Sequence, residues 1–146
     1  MNAMVPTLPT QLQWRRVSLT TGPTAAAEAR SQVRAAVCGW DVPVDESVAT
    51  LLTSELVTNA IRYEAGENVL LVVSCSGDQF RVDVHDTSPL RPVLVDASTD
   101  AEMGRGLMLV ATLSSDWGFY PTPAGKAVYF TLAFQPDLAE DDRRGP

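Results

Sequence analysis

Residues 54–66 read SELVTNAIRYEAG and lie in an amphipathic helical pattern. Positions three, four, seven, eight and eleven residues after Val48 are Leu51, Leu52, Glu55, Leu56 and Asn59. A carboxylate and a carboxamide therefore share a helical stripe with three leucines. An unpaired buried amide costs roughly 2 kcal/mol or more, and an unpaired carboxylate costs more still. The fold must therefore give the polar groups of Glu55 and Asn59 either partners or access to solvent.

Spacing alone leaves two interpretations of this pair open. In the first, the polar edge of a wide helix wraps around the stripe and Glu55 reaches solvent, since Val57, Ala60 and Ile61 supply a second apolar flank. In the second, the stripe ends beside a cavity for a polar ligand. There the Asn59 amide oxygen suits Mg²⁺ and the Glu55 carboxylate suits activation of water.

The surrounding patterns predict the element order βααββ-loop-αββ. Strands are predicted over 13–20, 68–77 and 79–86, and two more on either side of a Pro/Gly turn at 121–125. Helices are predicted from about Pro23 to Cys38, from an Asp45 N-cap onward and from Gly104 onward. Because no crossover helix separates most of the strands, we predict an α+β fold. It is a two-layer α/β sandwich, with helices on one face of a mixed, mainly antiparallel sheet.

Composition limits the domain organisation and the partners. A chain of 146 residues with 45% apolar residues fits one domain, predicted at 13–135 between flexible segments at 1–12 and 136–146. A net charge of −7 gives no electrostatic case for binding nucleic acid or an anionic membrane. With no apolar membrane span and with Cys38 and Cys75 read as buried, reduced thiols, we expect a cytoplasmic protein.

A Gly-x-Gly stretch follows a predicted loop at 87–103. Gly104, Arg105, Gly106 and Leu107 stand at a predicted helix start, where free backbone N–H groups and the helix dipole can hold a phosphate. A flexible hinge is the alternative. The stretch lacks the strand and the third glycine of a dinucleotide-binding motif, and the Gly-Lys-Ser/Thr of a P-loop.

Three further residues carry candidate contacts to a nucleotide. Asp86 ends a strand, where its carboxylate can accept a hydrogen bond from an exocyclic amino group such as that of adenine, or form an ordinary turn. On the last strand, Thr131 is a candidate base contact and Lys126 a candidate phosphate contact. Either could equally lie at the surface, which we expect for Lys126. His85, the only histidine, is expected on a sheet face or beside a pocket.

Together, these motifs resemble the GHKL superfamily of gyrase-like and histidine-kinase-like ATPases. The resemblance rests on Glu55-x-x-x-Asn59, Asp86, Gly104-Arg105-Gly106-Leu107 and Gly125-Lys126-x-Val128, in that order. The chain looks most similar to the stand-alone anti-sigma-factor serine/threonine kinase branch, in which ELVTNA is nearly a signature. The resemblance covers about residues 13–135.

The resemblance implies a Bergerat-type sandwich that binds ATP and Mg²⁺ between helices and sheet. Glu55 would polarise water or the attacking hydroxyl, Asn59 would coordinate Mg²⁺, and Asp86 would bond the adenine amino group. Residues 104–107 would form the second glycine box under a lid at 91–103. The implied partner is a protein, a sigma factor or an antagonist of the anti-anti-sigma type, with homodimer formation left open.

The first glycine box departs from the family pattern. Asp-x-Gly-x-Gly is replaced by DTSPL at 86–90, so that Ser88 and Leu90 stand where the glycines would be and Pro89 stiffens the turn. Two functions follow: an ATP-dependent regulatory kinase acting on an antagonist protein, or a non-catalytic module of the same fold that acts by sequestering its partner.

Overall fold

The computed structural model describes residues 12–63, 66–88 and 101–135. The elements follow the predicted order: β1 (Gln13–Thr20), α1 (Ala25–Gly39), α2 (Glu46–Tyr63), β2 (Asn68–Cys75), β3 (Gln79–Asp86), α3 (Ala101–Leu113), β4 (Asp116–Pro121) and β5 (Lys126–Ala133). The predicted terminal segments, apart from Leu12, and most of the predicted lid lie outside the described residues.

The five strands form one sheet in the order β1-β2-β3-β5-β4. All four pairings among the described strands are antiparallel, so the predicted α+β sandwich is confirmed, with an antiparallel sheet in place of the mixed one. The register places Val82 of β3 opposite Phe130 of β5 and Val73 of β2. These three side chains are buried on the face that the helices cover.

Helix α2 carries the central part of the core. A stripe of its buried residues begins at Ala49 and recurs at helical spacing, with Thr50 buried beside it. The stripe consists of Ala49, Leu52, Thr53, Leu56, Val57 and Ala60. The predicted stripe was therefore wrong by one residue at its origin, and Leu51 is exposed. Buried Thr53 donates its hydroxyl to the Ala49 carbonyl at 2.8 Å, which satisfies the one polar group in this stripe.

Small residues let α1 pack closely against α2. Ala25, Ala29, Val33 and Ala36 are fully buried along one side of α1. At the edges of this contact, Arg30 donates to the Ser54 hydroxyl at 2.9 Å and Arg34 pairs with Glu46 at 2.8 Å. The packing fixes the position of α2, and so the positions of Glu55 and Asn59 over the sheet.

Helix boundaries agree with the sequence at α2 and differ at α3. The Asp45 carboxylate accepts hydrogen bonds from the backbone N–H groups of Ser47 and Val48, which confirms the predicted N-cap. Helix α3 begins at Ala101, three residues before the predicted start at Gly104. Ala, Glu and Met at 101–103 are good helix formers and extend the helix upstream of the glycines.

The cysteine expectation was half right. Cys75 is buried on β2, whereas Cys38 is exposed near the end of α1, and neither thiol forms a disulfide. Helices in the described ranges lack the combination of length and apolarity that crossing a membrane would require.

The sheet face away from the helices carries a polar network centred on Asp83. Its carboxylate is buried and accepts two hydrogen bonds from Arg81, at 2.9 and 3.0 Å, and one from the Tyr120 hydroxyl at 2.8 Å. The Arg81 guanidinium lies 4.0 Å from the centre of the Tyr129 ring, and His85 meets the Tyr120 ring edge-on. His85 therefore lies on a sheet face, as predicted.

This network should make Tyr120 a late-titrating phenol. Burial, followed by the hydrogen bond to Asp83, raises the pKa of Tyr120 to about 12. Because the folded state favours the neutral phenol, the resulting stabilisation is complete below the unfolded pKa of about 10 and is lost as the pH rises through about 12. Tyrosinate absorbance during an alkaline titration should show a step near pH 12 that Tyr120→Phe removes. Titration of all three tyrosines near pH 10 would contradict the network.

Candidate functional site

The structure brings the predicted site residues together in two pairs. Glu55 on α2 meets Gly106 on α3, and Asp86 at the end of β3 meets Lys126 at the start of β5. Asp86 and Lys126 are direct partners across the antiparallel ladder. Each pair joins residues at least 40 positions apart in sequence, so tertiary folding creates both contacts.

Glu55 and Asn59 lie along the rim of the buried α2 stripe. Both are half-buried, in contrast with the fully buried Leu52 and Val57 on the same helix. Their spacing of four residues places them one above the other on the same side of α2. The apparent conflict in the sequence is therefore resolved, since the two polar groups border the core without entering it.

Gly106 allows α3 to approach the Glu55 carboxylate. A Cβ atom at position 106 would lie 2.7 Å from Glu55 Oε1, closer than ordinary contact permits. The missing side chain thus leaves room for the carboxylate against the α3 backbone. This contact is a structural reason for a glycine in the middle of a helix, where glycine costs roughly 1 kcal/mol relative to alanine.

The chemistry of this rim fits a magnesium-bound polyphosphate. Asn59 offers an amide oxygen and Glu55 a carboxylate, and oxygen ligands of this kind suit Mg²⁺. Mg²⁺ keeps several waters and binds through one or two protein oxygens together with substrate phosphates. Asn59 could therefore supply the protein ligand for such a group, with the Glu55 carboxylate beside it for activation of water or a hydroxyl.

The glycine box lies differently from its predicted position. With α3 beginning at Ala101, the N–H groups without an intrahelical acceptor within the helix belong to its first three residues, 101–103. Gly104 to Leu107, the four residues of the predicted box, follow these groups. Gly106 and Leu107 lie within the helix, and Leu107 is buried in the core. Side-chain contacts of Arg105 lie outside what the structure describes.

Asp86 is buried and accepts three hydrogen bonds within the described structure. Lys126 Nζ donates to both carboxylate oxygens at 3.0 Å, and the backbone N–H of Ser88 donates to Oδ1 at 2.9 Å. The side chains of Asp86 and Lys126 are 1% and 7% exposed, so this ion pair is shielded from solvent. The Asp86 carboxylate thus forms the predicted Asx-type turn with Ser88. The same carboxylate would also have to accept the hydrogen bond predicted from an exocyclic amino group.

The expectation that Lys126 lies at the surface was wrong. Lys126 begins β5 directly after Gly125, whose backbone packs against the peptide joining Asp86 and Thr87. A Cβ atom at position 125 would lie 2.6 Å from Thr87 Cα. This close approach of two backbones carries Lys126 inward, and its ammonium is compensated by the Asp86 carboxylate.

Thr131 does not join the other candidate residues. It lies opposite Arg81 and Asp116 in the ladder, five positions along β5 from Lys126. Because strand side chains alternate between faces, Thr131 belongs to the face with the Asp83 network, and Lys126 belongs to the face with the helices. The structure therefore separates Thr131 from Asp86 by the thickness of the sheet.

Removal of the Lys126 charge should be far more costly than removal of a surface charge. Lys126→Met leaves the buried Asp86 carboxylate without its partner, and we expect a loss of about 3–5 kcal/mol in the free energy of unfolding. Arg34→Met is the matched control, because its ion pair with Glu46 is exposed and should contribute less than about 1 kcal/mol. Urea denaturation measures both, and equal losses would contradict the buried pair.

The contact between Glu55 and Gly106 should appear as energetic coupling. Gly106→Ala should stabilise a Glu55→Ala protein by up to about 1 kcal/mol through helix propensity, and should stabilise the wild type less because the new methyl meets Glu55. A double-mutant cycle should give a coupling of about 0.5 kcal/mol or more. Gly39→Ala, where a Cβ meets open space, is the control without coupling. Additive effects at Gly106 would argue against the contact.

Comparison with known proteins agrees with this architecture. The model of a family described as the histidine kinase-like ATPase domain matches residues 19–132, which is more than half of the chain. The match extends from the last residues of β1 to the end of β5 and includes both residue pairs. No curated protein matches the chain. The chain belongs to the histidine kinase-like ATPase family, whose domains generally bind ATP with Mg²⁺.

Proposed function

We propose that the protein is an ATP- and Mg²⁺-binding regulator of the anti-sigma-factor kinase type. It binds a protein partner and phosphorylates a serine or threonine on an antagonist protein. The observation that carries this proposal is the contact between α2 and α3, in which Gly106 leaves room for the Glu55 carboxylate. The ELVTNA motif, within which Glu55 and Asn59 stand, supports the kinase branch by resemblance.

Each residue of the α2 rim has a role in this proposal. Asn59 holds Mg²⁺ through its amide oxygen, and Glu55 accepts the proton of the attacking hydroxyl as general base. Backbone N–H groups in the first turn of α3 stabilise phosphate charge together with the helix dipole. Phosphoryl transfer depends mainly on such positioning and electrostatic stabilisation.

A second function is a non-catalytic module that sequesters its partner. The Asp86–Lys126 pair favours this alternative, because the carboxylate expected to bind the base is already bonded within the protein. The altered box supports it further, since Ser88 stands where the family has a glycine. In this form, the fold is retained for binding a protein, and nucleotide turnover is absent.

Calorimetric titration with ADP tests the nucleotide site. We expect binding that requires Mg²⁺ and that Asn59→Ala weakens, because the variant removes the proposed metal ligand. Asn68→Ala is the matched control: this asparagine is exposed at the start of β2 and should leave binding unchanged. Absence of heat with ADP and ATP at millimolar concentration would overturn the proposal.

Capture of the partner with and without Mg·ATP separates the kinase from the sequestering module. The kinase predicts a new phosphoserine or phosphothreonine on the captured protein, which phosphosite mapping detects. Glu55→Gln should abolish this modification and preserve capture. If the wild type and Asn59→Ala both capture the partner normally, with no phosphosite and no effect of ATP, the sequestering module is supported instead.

A further inference from the structure

We propose that Lys126 determines base recognition at this site. Its ammonium takes the hydrogen-bonding position on Asp86 that the amino group of adenine would take, so the site does not select adenine over a 6-oxopurine. This inference rests on the proposed function, in which a nucleotide binds with its base at Asp86. Base specificity is thereby assigned to one residue, Lys126, which removes the preference for adenine.

The acceptor capacity of Asp86 is nearly exhausted. A carboxylate offers about four lone-pair sites. Lys126 Nζ occupies one on each oxygen, and the Ser88 N–H occupies a second one on Oδ1. Counting the bonds from residues that the structure describes, one site on Oδ2 remains, on a side chain that is only 1% exposed. An incoming amino group therefore finds little of Asp86 to bind unless Lys126 withdraws.

Withdrawal of Lys126 is unfavourable for two reasons. The hydrogen bonds from Nζ are charge-assisted, and a neutral amino group would replace them with weaker ones. The displaced ammonium would also leave a buried position where Asp86 compensates its charge. A backbone shift that withdraws Lys126 is also unfavourable, because Gly125 packs against Thr87 and the ladder register fixes Lys126 opposite Asp86.

The chemistry of the paired site differs from that of a free carboxylate. A free Asp86 would accept a hydrogen bond from the amino group at position 6 of adenine and would repel the oxygen at position 6 of hypoxanthine. A lysine ammonium has three N–H donors, of which two are directed to Asp86. Its positive charge tolerates a nearby oxygen, so the penalty against the 6-oxopurine disappears.

Titration of the wild-type protein with ADP and with inosine diphosphate, both with Mg²⁺, tests the inference directly. The two dissociation constants should agree within about threefold, which corresponds to less than about 0.7 kcal/mol. A preference of about tenfold or more for ADP would overturn the inference, because it would show that Asp86 reads the amino group despite Lys126.

Variants at both positions identify the responsible pair. Lys126→Thr frees the carboxylate and should give a preference for ADP of about tenfold or more. The double variant Lys126→Thr with Asp86→Ala should lose that preference again. Circular dichroism establishes that each variant is folded, and the wild-type comparison decides the question even if Lys126→Thr is unstable. An unchanged ratio in folded Lys126→Thr would overturn the inference.

The same titrations separate this inference from the proposed function. Selective binding of ADP by the wild type refutes the role of Lys126 and leaves the nucleotide site standing. Absence of heat with both nucleotides, in the wild type and in folded Lys126→Thr, overturns the proposed function and this inference with it.

Discussion

The antiparallel register between β3 and β5 determines which polar groups reach the helix side of the sheet. It sets Val82 against Phe130 in the core and, at the end of the same ladder, Asp86 against Lys126. A shift of one residue between the two strands would put Asp86 and Lys126 on opposite faces of the sheet. Because the apolar pairs fix the register, the buried ion pair follows from the packing of the core, and the core cannot keep its packing without accommodating the pair.

The two ends of the candidate site differ in solvent exposure and in charge compensation. On the α2 rim, Glu55 and Asn59 are half-buried oxygen donors, and Gly106 leaves space beside the carboxylate. At the sheet, the Asp86 carboxylate and the Lys126 ammonium neutralise each other out of reach of solvent. A phosphate-bound cation would thus meet accessible ligands, whereas a base would meet a closed pair. The kinase and the sequestering module differ in which of these two ends governs function.

The sequence was sufficient for the architecture, since the strands lie close in sequence and show clear alternation. It also predicted the residues that now meet, because Glu55, Asp86 and the glycine box occupy motif positions. The sequence was insufficient wherever a contact depends on how deeply a side chain is buried or on the register between strands. Lys126 was expected at the surface because an isolated lysine usually lies there, and only the pairing of β5 with β3 brings it to Asp86. The position of Thr131 relative to Asp86 was likewise not predictable, because it depends on the same register.

The turn after β3 contributes to the position of the Asp86 carboxylate. In DTSPL, the Ser88 N–H donates to Asp86 Oδ1, the oxygen to which Lys126 Nζ also donates. Gly125 contributes equally, since only a glycine lets the β4–β5 turn lie against Thr87. The turn after β3 and the β4–β5 turn therefore act together, since one bonds the Asp86 carboxylate and the other packs against Thr87. Contacts that already hold Asp86 before a ligand binds favour a preformed site over one that adjusts to its ligand.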